Sequence, residues 1–100
     1  MDRLFLKPKY FQMLCDIFVN YCPKAEIWAY GSRINGTAHN ASDLDLVVRN
    51  FNDEHKNIYE LRRLINDSDI PIIVEILDFN NIPDYFQKEI EKDYVVIFNN

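Results

Sequence analysis

Glycine is scarce in this 100-residue sequence, which has only two glycines, Gly31 and Gly36. Glycine is the residue used where the backbone takes a positive φ angle or comes very close to another group. Because the chain uses glycine nowhere else, we expect one unusual backbone segment in an otherwise regular fold. That segment begins at Gly31.

The sequence also lacks a long apolar run and an excess of positive charge. It has neither a stretch of 18 apolar residues nor a signal-peptide pattern, so we expect a soluble, cytoplasmic protein without a membrane-spanning helix. Lysine and arginine total 11 against 16 acidic residues, for a net charge of −5. Broad nucleic-acid binding normally needs a basic face. We therefore expect no membrane association and no broad nucleic-acid binding.

Cysteine is scarce as well. Cys15 and Cys22 lie seven residues apart on a predicted helix, a spacing that matches no zinc site and does not favour a disulfide. We expect two reduced core thiols. Apolar residues make up 48% of the chain and aromatic residues 14%, enough for the core of a single domain over residues 1–100.

The apolar pattern predicts helices and strands in alternation. Helices are expected over 8–21, from a cap at Asn52 or Asp53 to about Asn66, and from Pro83 to about Lys92. Strands are expected over 25–30, 43–49 and 70–77, with a loop over 32–41 that has room for one helical turn. Residues 94–98 form either a short strand or an extended tail.

This order predicts an α/β (α+β) fold, with helices packed on a small mixed sheet of about three strands. The strands over 25–30 and 43–49 are expected to be antiparallel, because the loop between them is too short for a crossover helix. The strands over 43–49 and 70–77 are joined by a helix. We expect them to be parallel neighbours through a right-handed crossover.

Three carboxylates fall on these strands. Asp43 and Asp45 are separated by one residue, so they point to the same face of a strand, about 6–7 Å apart along the chain. Glu75 lies inside the apolar run Ile72–Leu77, where burial is costly unless the charge is paired or binds a metal. If the strands are neighbours, the three carboxylates share one patch. Their repulsion then favours a divalent cation, and magnesium suits such a site.

Glu75 has a second interpretation. It could instead face solvent on an edge strand, or pair with Arg33, Arg49 or Lys24. The two histidines, His39 and His55, are predicted to be polar surface residues outside any catalytic arrangement.

The pattern around the glycines resembles a known signature. Gly31-Ser32-Arg33, then Gly36, then Ser42-Asp43-Leu44-Asp45-Leu46 resemble the G-S-x…D-x-D signature of the polymerase-β-like nucleotidyltransferases, and more narrowly the minimal nucleotidyltransferase group. Residues 72–78 resemble the third strand of that family, and 83–98 resemble its closing helix and short apolar end. The resemblance covers most of residues 25–98 and implies a polymerase-β-like nucleotidyltransferase core.

The resemblance implies a nucleotide site at the first part of the signature. Gly31 and Ser32 would cradle the triphosphate of ATP through backbone amides and the hydroxyl. Arg33 is the natural cation to contact phosphate, although it could also pair with Asp43 or Glu75 in the empty protein.

The resemblance implies a metal site at the second part. Asp43 and Asp45 would hold two magnesium ions that bridge the phosphates. Glu75 would complete the metal site or deprotonate the attacking hydroxyl. Family members usually have aspartate at the position of Glu75, so this glutamate is a departure.

The resemblance therefore implies a magnesium-dependent nucleotidyltransferase that transfers AMP from ATP to a protein partner. By analogy, that partner is a helical protein of the HEPN type, and this chain is the antitoxin of a toxin–antitoxin pair, with an oligomeric complex left open. One alternative is a weak or inactive module of the same fold that acts by binding the HEPN-type partner. Transfer to a small molecule such as an aminoglycoside is the least favoured, because 100 residues leave little room for an acceptor pocket.

Overall fold

The first half of the chain follows the predicted order of elements. The computed structural model describes residues 3–38 and 42–99. Helix α1 covers Pro8–Tyr21, with a proline in its first turn, where the missing N–H has no intrahelical partner to lose. Strand β1 covers Glu26–Tyr30, and the single helical turn α2 covers Ser32–Asn35. Residues 39–41 of the predicted loop, including His39, lie outside the described residues.

The second half of the described chain adds three strands and two longer helices. Strand β2 covers Leu44–Asn50, α3 Ile58–Asn66, β3 Val74–Asp78, α4 Asp84–Lys92 and β4 Val95–Phe98, with a short 3-10 helix over Phe79–Asn81 between β3 and α4. No helix in the described ranges is both long enough and apolar enough to span a membrane.

The sheet is mixed, as predicted, and has the strand order β3-β2-β1-β4. Strands β1 and β2 are antiparallel, and β2 and β3 are parallel, which confirms both predicted pairings. Strand β4 adds antiparallel to β1, so the described sheet has four strands where the sequence predicted about three. The last apolar segment is therefore a short strand, and β2 lies inside the sheet between two neighbours.

The two faces of the sheet are packed differently. One face carries Ile27, Leu46 and Val48 against Leu14 of α1 and Leu61 of α3, in the larger core. The other face carries a smaller cluster in which Trp28 and Val47 pack against Phe79 and Ile90. Because side chains alternate along a strand, Asp45 lies on the same face as Val47. This face, covered in part by α4, is where the candidate site lies.

Helix α3 begins later than predicted. It starts at Ile58, and Asn57 caps it by accepting a hydrogen bond of 2.9 Å from Glu60 N. The backbone N–H of Asn57 in turn donates to the Tyr21 hydroxyl of α1, at 3.1 Å. The expected caps serve elsewhere, because Asn52 takes a positive φ of 55° and Asp53 accepts from His55 N in a turn. Of the three residues suited to cap this helix, Asn57 is the one that also contacts α1, and the helix begins after it.

Strand β3 also begins later than predicted, at Val74 instead of Ile70. Pro71 has no backbone N–H to give to a ladder, and Ile73 is 68% exposed. The carbonyl of Ile73 still accepts from Leu44 N at 2.9 Å, so the segment is tied to β2 just before the strand begins.

The two cysteines are free thiols, as predicted. Cys22 is buried in the larger core, and burial raises the pKa of its thiol to about 11. Cys15 is only half-buried, so the prediction that it lies in the core is wrong. Burial still raises the pKa of its thiol. Both thiols are therefore protonated at neutral pH and poorly reactive.

The cap of α3 gives a stability prediction. Replacing the cap by Asn57→Ala removes the hydrogen bond to Glu60 N, and we expect the free energy of unfolding to fall by about 1 kcal/mol. The matched control, Asp53→Ala, removes only the turn contact and is expected to have a smaller effect. Urea denaturation followed by circular dichroism measures both. A larger loss in Asp53→Ala than in Asn57→Ala would contradict the assignment of the cap.

Candidate active site

Gly31 occupies the turn between β1 and α2 in a conformation that other residues avoid. Its φ is 80° and its ψ is −153°, a region used essentially by glycine alone. A Cβ atom added to Gly31 would lie 2.6 Å from Oδ2 of Asp45, well inside van der Waals contact. Glycine therefore suits the turn, and any other residue here would be strained and would have to displace the Asp45 carboxylate. The unusual backbone segment predicted from the scarcity of glycine is confirmed.

Three polar side chains form a row across three strands beside this turn. Tyr30 on β1 is the register partner of Asp45 on β2, and Asp45 is the register partner of Glu75 on β3. Side chains directly opposite each other on neighbouring strands share a face and lie within contact range. The structure therefore brings Asp45 and Glu75 together, as the parallel pairing predicted. We call Tyr30, Asp45 and Glu75 the polar row.

The members of the polar row differ in exposure. Asp45 is partly buried on an inner strand, whereas Glu75 is exposed on β3, an edge strand. This matches the solvent-facing alternative for Glu75. Asp43 is exposed immediately before β2 begins at Leu44, and alternation places it on the Asp45 side of the strand. The polar row is thus open to solvent at its β3 end.

The carboxylates act on one another electrostatically. Burial, followed by the charges of Glu75 and then Asp43, raises the pKa of Asp45 above its ordinary value. Burial, followed by the charges of Asp45 and then Glu75, also raises the pKa of the Tyr30 phenol, so Tyr30 stays protonated at any physiological pH. Negative charge therefore accumulates at this end of the sheet without a neutralising cation in the row itself.

The three predicted metal ligands do not form a compact cluster. Within residues 3–38 and 42–99, no three His, Cys, Asp or Glu side chains are grouped so that together they could hold a metal ion. Asp45 and Glu75 are register partners, and Asp43 lies at the exposed start of the same strand. All three offer carboxylate oxygens, the donor atoms that magnesium prefers. A magnesium site built from these residues stays a prediction.

Arg33 is placed differently from the sequence-based expectation of a phosphate contact. Its side chain is buried, with 4% of the residue exposed. Nε and Nη2 donate to the carbonyl of Ser42 at 3.0 and 2.7 Å, and Nη1 donates to the carbonyl of Phe5 at 2.6 Å. A buried guanidinium needs such partners. Arg33 therefore braces the chain at Ser42, directly before Asp43, and joins it to the N-terminal segment.

Sequence reasoning missed the part of the site formed by Tyr30 and α4. The Tyr30 ring meets the Phe86 ring edge to face, with centroids 5.9 Å apart, and Phe86 and Glu89 face the same cavity as Gly31. Two signals point to these residues. Tyr30 directly precedes Gly31 and shares the strand face of Trp28, and Phe86 and Glu89 are three residues apart on one helix face.

Comparison with known proteins agrees with this geometry. Residues 12–100 match the family model "Polymerase beta, Nucleotidyltransferase". The chain is 32% identical over 98 residues to "Probable protein adenylyltransferase MntA" of Haemophilus influenzae, covering 95% of this chain and 84% of that protein. It shares its fold with a solved structure described as "Crystal structure of the toxin-antitoxin with AMP-PNP". That match has a TM-score of 0.70 and 22% identity, over 90% of this chain and 73% of the other.

The contact between Gly31 and Asp45 predicts a coupled pair of substitutions. We expect Gly31→Ala to lower the free energy of unfolding by about 1–3 kcal/mol through backbone strain, with a further loss from displacing the Asp45 carboxylate. In an Asp45→Ala background the carboxylate is gone, so Gly31→Ala should cost less. Such non-additivity is the signature of direct contact.

Gly36→Ala is the matched control for that pair. Gly36 also has a positive φ, of 87°, but an added Cβ would meet nothing within 4 Å. Gly36→Ala should lower the free energy of unfolding by about 1–2 kcal/mol, and by the same amount with and without the Asp45 carboxylate. Urea denaturation of the six proteins measures these differences. An equal cost of Gly31→Ala in both backgrounds would show that the backbone conformation alone excludes a side chain.

The raised pKa of Asp45 predicts that Asp45→Asn increases the free energy of unfolding, and that the increase depends on pH. The folded state holds the Asp45 proton more tightly than the unfolded state, so the contribution of Asp45 to stability falls as pH rises above about its ordinary pKa of 3.8. Asn carries no charge and avoids this loss. We expect Asp45→Asn to match the wild type near pH 3 and to exceed it at pH 7. The gain should be below about 1 kcal/mol, because water screens a partly exposed charge.

Denaturant unfolding of both proteins across this pH range measures the difference directly. Other carboxylates titrate in the same range, but they contribute equally to wild type and variant. If Asp45→Asn is less stable than the wild type at pH 7, the Asp45 carboxylate makes a net favourable interaction that outweighs the repulsion.

Proposed function

The chain belongs to the polymerase β nucleotidyltransferase family and is a nucleotidyltransferase, and we propose that it transfers AMP from ATP to a protein partner in a magnesium-dependent reaction. The observation that carries the proposal is the Gly31 backbone lying against the Asp45 carboxylate at the centre of the polar row. The choice of AMP and of a protein acceptor is supported by the relative named a protein adenylyltransferase.

We assign the triphosphate of ATP to Gly31 and Ser32. Ser32 is the first residue of α2 and follows the Gly31 turn. The first N–H groups of a helix have no partner within the helix and suit phosphate oxygens. Arg33, the next residue, acts indirectly in this proposal, because its guanidinium braces the carbonyls of Ser42 and Phe5. These hydrogen bonds hold α2 in place and fix the backbone at Ser42, the residue before Asp43.

Asp43, Asp45 and Glu75 are the residues that would hold magnesium. Each offers carboxylate oxygens, the donor atoms that the ion prefers. Burial and then repulsion from Glu75 and Asp43 raise the pKa of Asp45, and a bound cation would relieve that repulsion. When bound, magnesium neutralises charge on the phosphates during transfer. The protein itself contributes a fixed carboxylate at Asp45, held from both sides by strand pairing. Glu75 has greater freedom at the exposed edge.

The reaction is in-line displacement at the α-phosphorus. The oxygen of an acceptor hydroxyl forms the new bond to phosphorus, and the bond from phosphorus to the bridging oxygen breaks, releasing pyrophosphate. The hydroxyl proton passes to a carboxylate. We propose Glu75 for that role, because it is exposed and therefore reachable by a group on another protein.

The acceptor is proposed to be a helical HEPN-type partner in a toxin–antitoxin pair. The solved structure of the same fold, described as a toxin–antitoxin with AMP-PNP, supports this choice. Ile73 also supports it, since this apolar residue is 68% exposed and its carbonyl binds Leu44 N, next to Asp43. An exposed apolar side chain beside the carboxylates offers a contact for a partner that presents its hydroxyl there.

Label transfer tests the proposed function. The purified chain is incubated with magnesium and ATP labelled at the α-phosphate, with and without soluble extract of its host. We expect one labelled protein band, which is lost on chelation of magnesium. ATP labelled at the γ-phosphate should label nothing, because that label leaves in pyrophosphate.

Two substitutions assign the reaction to the site. Asp43→Ala with Asp45→Ala should reduce labelling by at least about 100-fold, the usual scale for losing a main source of transition-state charge stabilisation. Asp69→Ala, an exposed acid in the segment before β3, is the matched control and should label normally. If no band forms while Asp45→Asn still neutralises the partner, the chain acts by binding alone.

A further inference from the structure

A cavity opens beside Gly31, on the side facing α4. Its volume is about 250 Å³, and its walls include Tyr30, Gly31, Asn35, Phe86, Glu89 and Asp93. It therefore begins at the turn to which we assign the triphosphate and extends away from it along α4. The phosphates, the metal and the acceptor placed above leave this space free.

The cavity has the wrong charge for phosphate. Two of its walls are the carboxylates of Glu89 and Asp93, and no lysine or arginine of the described chain lines it. Lys92 pairs with Oε1 of Glu89 at 2.8 Å, and Arg3 pairs with Oδ1 of Asp93. A carboxylate has several acceptor sites on its two oxygens, so each can accept a further hydrogen bond. Hydroxyl and amino groups are the ligands that such walls favour.

The cavity also has an aromatic wall and a limited size. The rings of Tyr30 and Phe86, in edge-to-face contact at 5.9 Å, present apolar surface to its interior. Sites for drug-sized ligands usually enclose about 300–1,000 Å³, so 250 Å³ suits only part of a nucleotide. An apolar wall together with carboxylate acceptors matches a flat base and a ribose, both of which carry hydrogen-bond donors.

We propose that this cavity receives the nucleoside end of the nucleotide whose phosphates lie at Gly31 and Ser32. In this arrangement Glu89 accepts from a ribose hydroxyl or a base amino group, and Phe86 packs against the nucleoside. The inference rests on the proposed function, because it places the donor substrate of the same reaction. Phe86 and Glu89 are then determinants of nucleoside binding and take no part in the chemical step.

Equilibrium binding to two probes tests the proposal. ATP and inorganic triphosphate are titrated, each with magnesium, into the wild type, Glu89→Ala and Phe86→Leu, with calorimetric detection. We expect about tenfold weaker ATP binding in Glu89→Ala, the scale of losing one hydrogen bond to a charged group. Phe86→Leu should also weaken ATP binding. Binding of inorganic triphosphate should stay unchanged in both variants.

Glu91→Ala is the matched control, since it removes the same charge from an exposed position of α4 outside the cavity. It should bind ATP as the wild type does, and thermal melts confirm that each variant is folded. Glu89 is 63% exposed at its side chain, so that variant remains informative even where Phe86→Leu disturbs packing.

Each remaining outcome overturns a defined claim. Unchanged ATP binding in Glu89→Ala overturns the cavity assignment and leaves nucleotidyl transfer intact. Equal losses for ATP and inorganic triphosphate, or an equal loss in Glu91→Ala, also overturn it, because the effect would then not depend on the nucleoside. A wild type that binds neither probe overturns the proposed function itself, and the cavity assignment with it.

Discussion

The whole site depends on one close approach, that of the Gly31 backbone to the Asp45 carboxylate. An added Cβ would lie 2.6 Å from Oδ2, so no other residue fits without moving either the turn or the acid. The antiparallel pairing of Tyr30 with Asp45 fixes the position of the turn along β2. The positive φ then directs the chain into α2. One local constraint therefore places a helix start beside a partly buried carboxylate.

Strand β2 makes this arrangement rigid, because it serves the core and the site at the same time. Its residues Leu44, Leu46 and Val48 are fully buried in the larger core. Asp45, between them, points to the opposite face. Burial of Asp45, followed by repulsion from Glu75 and Asp43, raises the pKa of its carboxyl group, and keeping that group charged at neutral pH opposes folding. Burial of the apolar side chains on either side of Asp45 offsets it, at about 1.5–3 kcal/mol per fully buried Leu or Val.

Local patterns predicted the parts of the structure that depend on local physics. Alternation along the two strands, together with the parallel pairing expected from the helix that joins them, was enough to place Asp45 beside Glu75. The role of Arg33 could not be predicted, since its partner Phe5 is 28 residues away. Every residue has a main-chain carbonyl, so a residue type does not indicate which carbonyl will accept a hydrogen bond. The start of α3 depends in the same way on Tyr21, 36 residues from Asn57. The four residues of β4 are too few for periodicity to separate a strand from a tail.

The same geometry bears on Glu75, which stands where the resemblance to the family signature implies an aspartate. On an inner strand, an extra methylene would have to fit between fixed neighbours. Glu75 instead lies on the edge strand β3 and is exposed, so its longer side chain can reach toward Asp45 without any shift of the backbone. The cost is entropic, because a longer side chain loses more rotamer freedom when it is held in one position. Asp45, on the inner strand, is therefore the more constrained carboxylate of the candidate site, and Glu75, on the exposed edge strand, is the more adjustable one.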